Sequence, residues 1–293
     1  MDKIKSLYKF AFFGTGDFAV KILDILLQDN YIPEIIITTP DKPKGRKMEL
    51  TPSPVKNWVQ KNNIKTITDY SLLVTHYDLF IVADYGKILP KEIINMPKHK
   101  TLNVHPSILP KFRGPSPIQS FILSKDEETG ITIILMDEEV DHGPIIAQQT
   151  WTSDVRLDIG CPSYKELEKK LAKLGGKMLV ETIPDWINGK IKTREQNHGE
   201  ATFTKKIIKE NGLINPDDSP ELIMKKILAL TPWPSAYFFA EKDGRKMRII
   251  ITDAEIKENK LIIKKIKPEG KKEIPLDDFY KEIIGRYLKM DQI

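Results

Sequence analysis

Cysteine is nearly missing from this chain: Cys161 is the single one among 293 residues. That count excludes a disulfide within the chain and a cysteine-built metal centre, and it fits a reducing compartment with no redox role. Long apolar runs are missing too. No stretch of about 18 uncharged apolar residues occurs, so no membrane-spanning helix is expected. The residues from Met1 to Phe10 carry three lysines and one aspartate and lead into a strand-like segment, without the apolar core of a signal peptide. A cytoplasmic protein is the expectation. Internal repeats and low-complexity tracts are absent. The net charge of +5 is small but uneven: residues 205–293 carry 19 Lys and Arg against 15 Asp and Glu, and residues 1–204 carry 27 against 26. This excess permits a polyanionic partner without demanding one.

What is present is 40% hydrophobic and 30% charged residues, enough for two domains and one substantial core. Apolar, β-rich runs at Lys9–Phe13, Glu34–Thr39 and Leu79–Ala83 alternate with helical patterns at Asp17–Gln28 and Pro54–Lys61. Strands at Thr101–His105 and Ile131–Met136 follow, with a helix near Pro117–Ser124 between them. Such alternation implies crossover connections and a mainly parallel sheet covered on both faces, an α/β domain of Rossmann-like type. Ligands of such sheets lie beyond the carboxyl ends of the strands. After a helical stretch from Ser163 to Asn188, residues 190–204 are polar and aperiodic and read as a linker. Residues 205–293 carry a helix near Pro220–Leu230, then strand-like runs at Ala236–Ala240, Met247–Thr252 and Lys260–Ile266, with Asp243-Gly244 as a turn. They predict a small β-rich domain resembling an OB-like barrel.

Gly14-Thr15-Gly16-Asp17-Phe18-Ala19 formally matches the dinucleotide pattern G-x-G-x-x-A. The acidic residue expected after the second strand is replaced by Thr38-Thr39-Pro40, so the match lacks the group that would read a ribose. A different constellation carries more chemistry. Asn103 and His105 share one strand face by their spacing of two, and Pro106 and Pro110 stiffen the loop that follows. Asp141, beside Gly143 and Pro144 and 38 positions after Asn103, has no helical context that would make it an ordinary surface acid. Amide, imidazole and carboxylate together suit holding an oxyanion while protons move, as in acyl transfer. His142 adjoins the aspartate but points away from it if the chain is extended. His76, His99 and His198 read as solvated, and Arg113-Gly114 either binds an anion or braces the loop.

The chain resembles the methionyl-tRNA formyltransferases, within the wider group of 10-formyltetrahydrofolate-dependent formyltransferases. The resemblance runs through Phe12 to Ala19, Thr39 to Arg46, Pro52 to Lys56, Tyr85 to Pro90, Asn103 to Gln119, Thr129 to Thr132, Met136-Asp137 and Pro232-Trp233-Pro234. It implies a catalytic domain over 1–189 and a tRNA-binding domain over 205–293, with Asn103, His105 and Asp141 catalytic. It implies folate along Ser107, Ile108, Leu109 and Pro110, with the pteridine near Asp84 to Leu89, Tyr85, Ile88 and Leu89 among them, and near the 137–141 loop with Asp137. The basic loop with Lys42, Lys44, Arg46 and Lys47 would grip the initiator tRNA. Methionyl initiator tRNA and 10-formyltetrahydrofolate are the implied partners of a monomer with no metal. A formyltransferase acting on an amino sugar nucleotide or other small amine is the nearest alternative. An NAD(P)-dependent oxidoreductase and an RNA-binding module without catalysis stand further off.

Overall fold

A computed structural model describes residues 8–45, 48–73, 76–152, 162–242 and 245–276, together with Tyr280, Ile284 and Tyr287. These residues form two compact units, one from 1–117, 127–152 and 168–204, the other from 118–126, 153–167 and 205–293.

The first unit is built on strands β1 (Phe10–Gly14), β2 (Ile35–Ile37), β3 (Lys42–Lys44), β4 (Glu49–Thr51), β5 (Thr66–Ile67), β6 (Leu79–Ala83), β7 (Thr101–His105), β8 (Thr129–Leu135) and β9 (Ile145–Trp151). Seven of them make one sheet in the order β5-β2-β1-β6-β7-β8-β9. The first five in that order run parallel, while β8 pairs antiparallel with both β7 and β9. β1, β2 and β6 are buried along their whole length, which explains their unbroken apolar sequences: a parallel strand covered on both faces has no solvent side to mark. The chain leaves β1 in one direction to β2 and later returns to β1's other side as β6, so the strand order reverses between β1 and β6.

Helices α1 (Asp17–Gln28), α2 (Pro54–Asn62) and α3 (Lys91–Ile94) lie between these strands, and α5 (Tyr164–Ile187) follows β9. Helix α2 starts where the sequence says it should. The Ser53 hydroxyl accepts from Lys56 N–H at 3.0 Å, Pro54 occupies the first turn, and Ser53 also bonds the Thr38 hydroxyl at 2.9 Å. Removing such a cap costs about 1 kcal/mol. The basic loop of the sequence is a hairpin: β3 and β4 pair antiparallel, Lys42 facing Thr51 and Lys44 facing Glu49, and Lys56 anchors its base through Asp41 at 2.7 Å.

The second unit contains α4 (Pro117–Leu123), α6 (Pro220–Leu230) and an antiparallel sheet of β10 (Tyr237–Lys242), β11 (Arg245–Lys257), β12 (Lys260–Pro268) and β13 (Ile274–Pro275) in that linear order. Its core joins Ile223 and Ile227 of α6 to Phe238, Ile249, Ile251, Leu261, Ile263 and Ile266. The expected β-rich domain is therefore an antiparallel sheet with a helix packed on it. The Asp243-Gly244 turn lies outside the described residues, and no described helix is long and apolar enough to cross a membrane.

Candidate active site

Three of the sequence-selected residues meet at the carboxyl-terminal half of β7. The register sets Asn103 between Val82 of β6 and Ile134 of β8, and His105, 4% exposed, ends the strand. Asn103 Nδ2 donates to Asp141 Oδ1 at 3.0 Å, and the Gly114 N–H donates to Asp141 Oδ2 at 2.7 Å. His105 Nε2 donates to the Phe112 carbonyl at 2.9 Å, while its Nδ1 stands 3.5 Å from Asp141 Oδ2. That last separation exceeds ordinary hydrogen-bond distances of about 2.7–3.2 Å, so Nδ1 is the ring nitrogen left for chemistry. Asn103 likewise has two amide hydrogens and spends one on the carboxylate. One N–H of Asn103 is therefore available beside the His105 Nδ1, which is a donor only in the imidazolium form because Nε2 already gives its hydrogen to Phe112.

Asp141 reaches this place through an unusual backbone. It lies in the loop between β8 and β9 with a φ of 51°, a left-handed conformation that costs a residue with a Cβ about 1–2 kcal/mol. The loop folds tightly against the end of β8: a Cβ on Gly143 would fall 1.9 Å from the Leu135 carbonyl oxygen, so only glycine fits there. Holding the loop is Gln196, whose Nε2 donates to the carbonyls of Asp141, His142 and Gly143 at 2.9, 3.0 and 2.7 Å. Gln196 Oε1 accepts from Arg113 Nε and Nη2 at 3.2 and 2.7 Å. Arg113 is buried and so braces the loop, which resolves its two sequence readings. Thr202 and Thr204 add bonds to Phe112, Arg113 and Ser116. The stretch read as an aperiodic linker is thus bonded along much of its length to the first unit, and its missing periodicity reflects tertiary rather than helical bonding.

A second carboxylate sits at the neighbouring strand ends. A Cβ on Gly16 would lie 2.0 Å from Asp84 Oδ2, so the carboxyl group is seated on the turn between β1 and α1. Asp84 keeps an exposed flank, yet desolvation and the charges of Glu168 and Asp17 outweigh the Gly16 N–H and the Lys21 charge and push its carboxyl up to about 7. A phosphate at the N-terminus of α1 would need the same N–H groups and would meet like charge. The glycine pattern of Gly14 to Ala19 therefore lacks a free phosphate seat, which removes the support for a dinucleotide.

The other selected residues divide by burial. Ser107 and Leu109 are fully inside: the Ser107 hydroxyl donates to the Lys111 carbonyl at 2.6 Å, and the Leu109 N–H donates to Thr132 Oγ1 at 3.1 Å. Tyr85 and Leu89 pack in an apolar cluster with Phe13 and Phe80, and burial pushes the Tyr85 hydroxyl up to about 12. These four side chains brace the loops and leave little surface to a ligand, because an apolar residue at a strand end serves the core as readily as a ring. Ile88, 77% exposed, and the partly exposed Ile108 and Pro110 remain open. Asp137 accepts from His142 Nδ1 at 2.6 Å. The His142 ring stacks on His198 with centroids 4.1 Å apart, and His198 Nδ1 accepts from Arg113 Nη2 at 2.8 Å. His198 is therefore exposed but engaged, unlike the solvated residue expected. Lys42 is exposed on β3, Lys44 lies on the same strand, and Arg46 and Lys47 fall outside the described residues. Gln196 was missed by sequence reasoning, since nothing in a lone glutamine signals three backbone partners over 50 positions away.

No group of three or more His, Cys, Asp or Glu is set to hold a metal among the described residues. The family profile described as Formyl transferase matches residues 8–183, and that described as Formyl transferase, C-terminal domain, matches residues 206–261. The chain is 38% identical over 278 residues to the Methionyl-tRNA formyltransferase of Sulfurihydrogenibium sp. (strain YO3AOP1), covering 89% of this chain and 86% of that one. To the protein of that name in Bacillus subtilis (strain 168) it is 33% identical over 304 residues, covering 92% and 93%. The fold is similar to that of the Methionyl-tRNA formyltransferase from Clostridium thermocellum, with a TM-score of 0.59 and 20% identity over 89% of this chain and 99% of that one. A 4-N formyltransferase from Francisella tularensis is similar in fold, with a TM-score of 0.64 and 20% identity over 86% and 98%.

Proposed function

The chain belongs to the formyl transferase family, and from that premise we infer that it transfers the formyl group of 10-formyltetrahydrofolate to the free amino group of methionyl-tRNA. The products are tetrahydrofolate and the N-formylmethionyl-tRNA used in translation initiation. The observation that carries this reading is the gathering of Asn103, His105 and the Gly114 N–H around the Asp141 carboxylate at one strand end.

The donor set fits a formyl group. Acyl transfer to an amine builds negative charge on the formyl oxygen and releases a proton from the nitrogen. The spare N–H of Asn103 supplies one donor for that oxygen and His105, as an imidazolium whose Nε2–H stays on the Phe112 carbonyl, supplies a second through Nδ1; one such donor contributes about 3 kcal/mol of transition-state stabilisation. Asp141 keeps Asn103 aimed, the Phe112 carbonyl keeps His105 aimed, and Asp141 takes up the amine's proton, directly or through a water, for return to the leaving nitrogen. No covalent intermediate on the protein is needed. Ile88, Ile108 and Pro110 give the folate an apolar border, with Asp137 as a polar neighbour.

Lys42 and Lys44 of β3, together with Arg46, Lys47 and the basic residues of 205–293, supply phosphate contacts to the initiator tRNA, a contribution that falls steeply with salt. The protein acts as a cytoplasmic monomer. Incubation with labelled 10-formyltetrahydrofolate and equal amounts of methionyl-tRNA and a dTDP-linked amino sugar tests the acceptor. Label is expected in the RNA; label in the sugar overturns the reading.

A further inference from the structure

Gln196 does more than fill space beside the active-site loop. An amide NH2 has two hydrogens, so the three carbonyls of Asp141, His142 and Gly143 share them. Three successive carbonyls converge on one point only where the chain curls, and the left-handed φ of Asp141 is that curl. Converging carbonyl oxygens repel one another unless a donor sits among them. Gln196, 4% exposed, is that donor, and Arg113, 3% exposed, fixes which end of the amide faces the carbonyls by giving both Nε and Nη2 to the oxygen. The curl has a chemical consequence. It presents the Asp141 carboxylate to Asn103 Nδ2 and to the N–H of Gly114, the residue next to Arg113.

We propose that Gln196, oriented by Arg113, is a positioning residue for formyl transfer: it fixes the backbone conformation that aims Asp141 and acts on the reaction only through that carboxylate. The proposal rests on the formyl-transfer reading above. A residue that merely holds the fold together would slow the enzyme to the same degree whether or not Asp141 is intact.

A double-mutant cycle separates the two roles. Gln196→Met keeps the volume and removes the donor. It is expected to lower kcat by about tenfold or more in the intact enzyme, with KM for both substrates within about twofold, and by less than about twofold when Asp141→Asn is already present. A penalty of equal size in both backgrounds, or a kcat of Gln196→Met within about twofold of wild type, overturns the proposal. Thermal unfolding accompanies each variant. Should Gln196→Met not fold, Gln196→Glu takes its place in both backgrounds, since it retains the partner for Arg113 and still lacks the donor. Absence of transfer by the wild type is a separate result, which overturns the formyl-transfer reading and this proposal with it.

Discussion

Two carboxylates stand at neighbouring strand ends of the same sheet, and their surroundings are opposite. Asp141 is met by an amide, a backbone N–H and an imidazole. Asp84 is desolvated and has Glu168 and Asp17 adding like charge, with the Gly16 N–H and the charge of Lys21 in its favour. Both residues have left-handed backbones, with φ of 51° and 49°, so conformation alone does not separate them. What separates them is their surroundings: a carboxylate met by N–H groups can aim other side chains, whereas one stripped of water beside like charges is driven toward its neutral form. The difference supports the proposal of transfer chemistry at β7 and leaves the β1–β6 reversal point as a turn closed by its own acid.

That comparison breaks most visibly in activity. Asn103→Ala, His105→Ala and Asp141→Ala are each expected to fold normally and to transfer formyl groups at least about a hundredfold more slowly. Near-normal turnover in single-turnover assays of any one would take that residue out of the site. A smaller loss is expected away from both strand ends: Arg46→Ala should raise KM for tRNA by about tenfold and flatten its salt dependence. Folate binding measured by fluorescence titration should stay the same, and equal weakening of folate would sink the assignment.

The smallest effect sharpens the contrast through pH. An acid raised from 3.8 to about 7 in the folded state binds its proton more tightly there than in the unfolded chain, so stability falls as pH rises through that window. Asp84→Asn does not titrate and escapes this loss. Its Tm should exceed that of wild type at pH 8 and approach it near pH 4; a difference independent of pH would show that Asp84 carries no such burden.

Much of this arrangement is legible from residues alone. Asp17–Gln28, Leu79–Ala83 and Thr101–His105 appear where the apolar patterns put them, because buried parallel strands and an amphipathic helix are written locally. The pairing of Asn103 with His105 was readable for the same reason: a spacing of two on a strand fixes a common face. The hairpin of β3 and β4 was not, since Lys42–Lys44 and Glu49–Thr51 are short and polar and their pairing owes nothing to burial. Nor was the antiparallel turn of β8, whose apolar run is the same in either direction. Gln196 escaped because its partners are main-chain oxygens, which every residue has. Tyr85 and Leu89 resemble ligand contacts and core residues equally until their packing is seen.

Transfer of labelled formyl from 10-formyltetrahydrofolate to methionyl-tRNA by wild type and Asp141→Asn, side by side and with folate binding measured for both, bears most directly on the account. It predicts transfer by the wild type that falls at least about a hundredfold in the variant while folate binding persists. Equal transfer by the two proteins would contradict it.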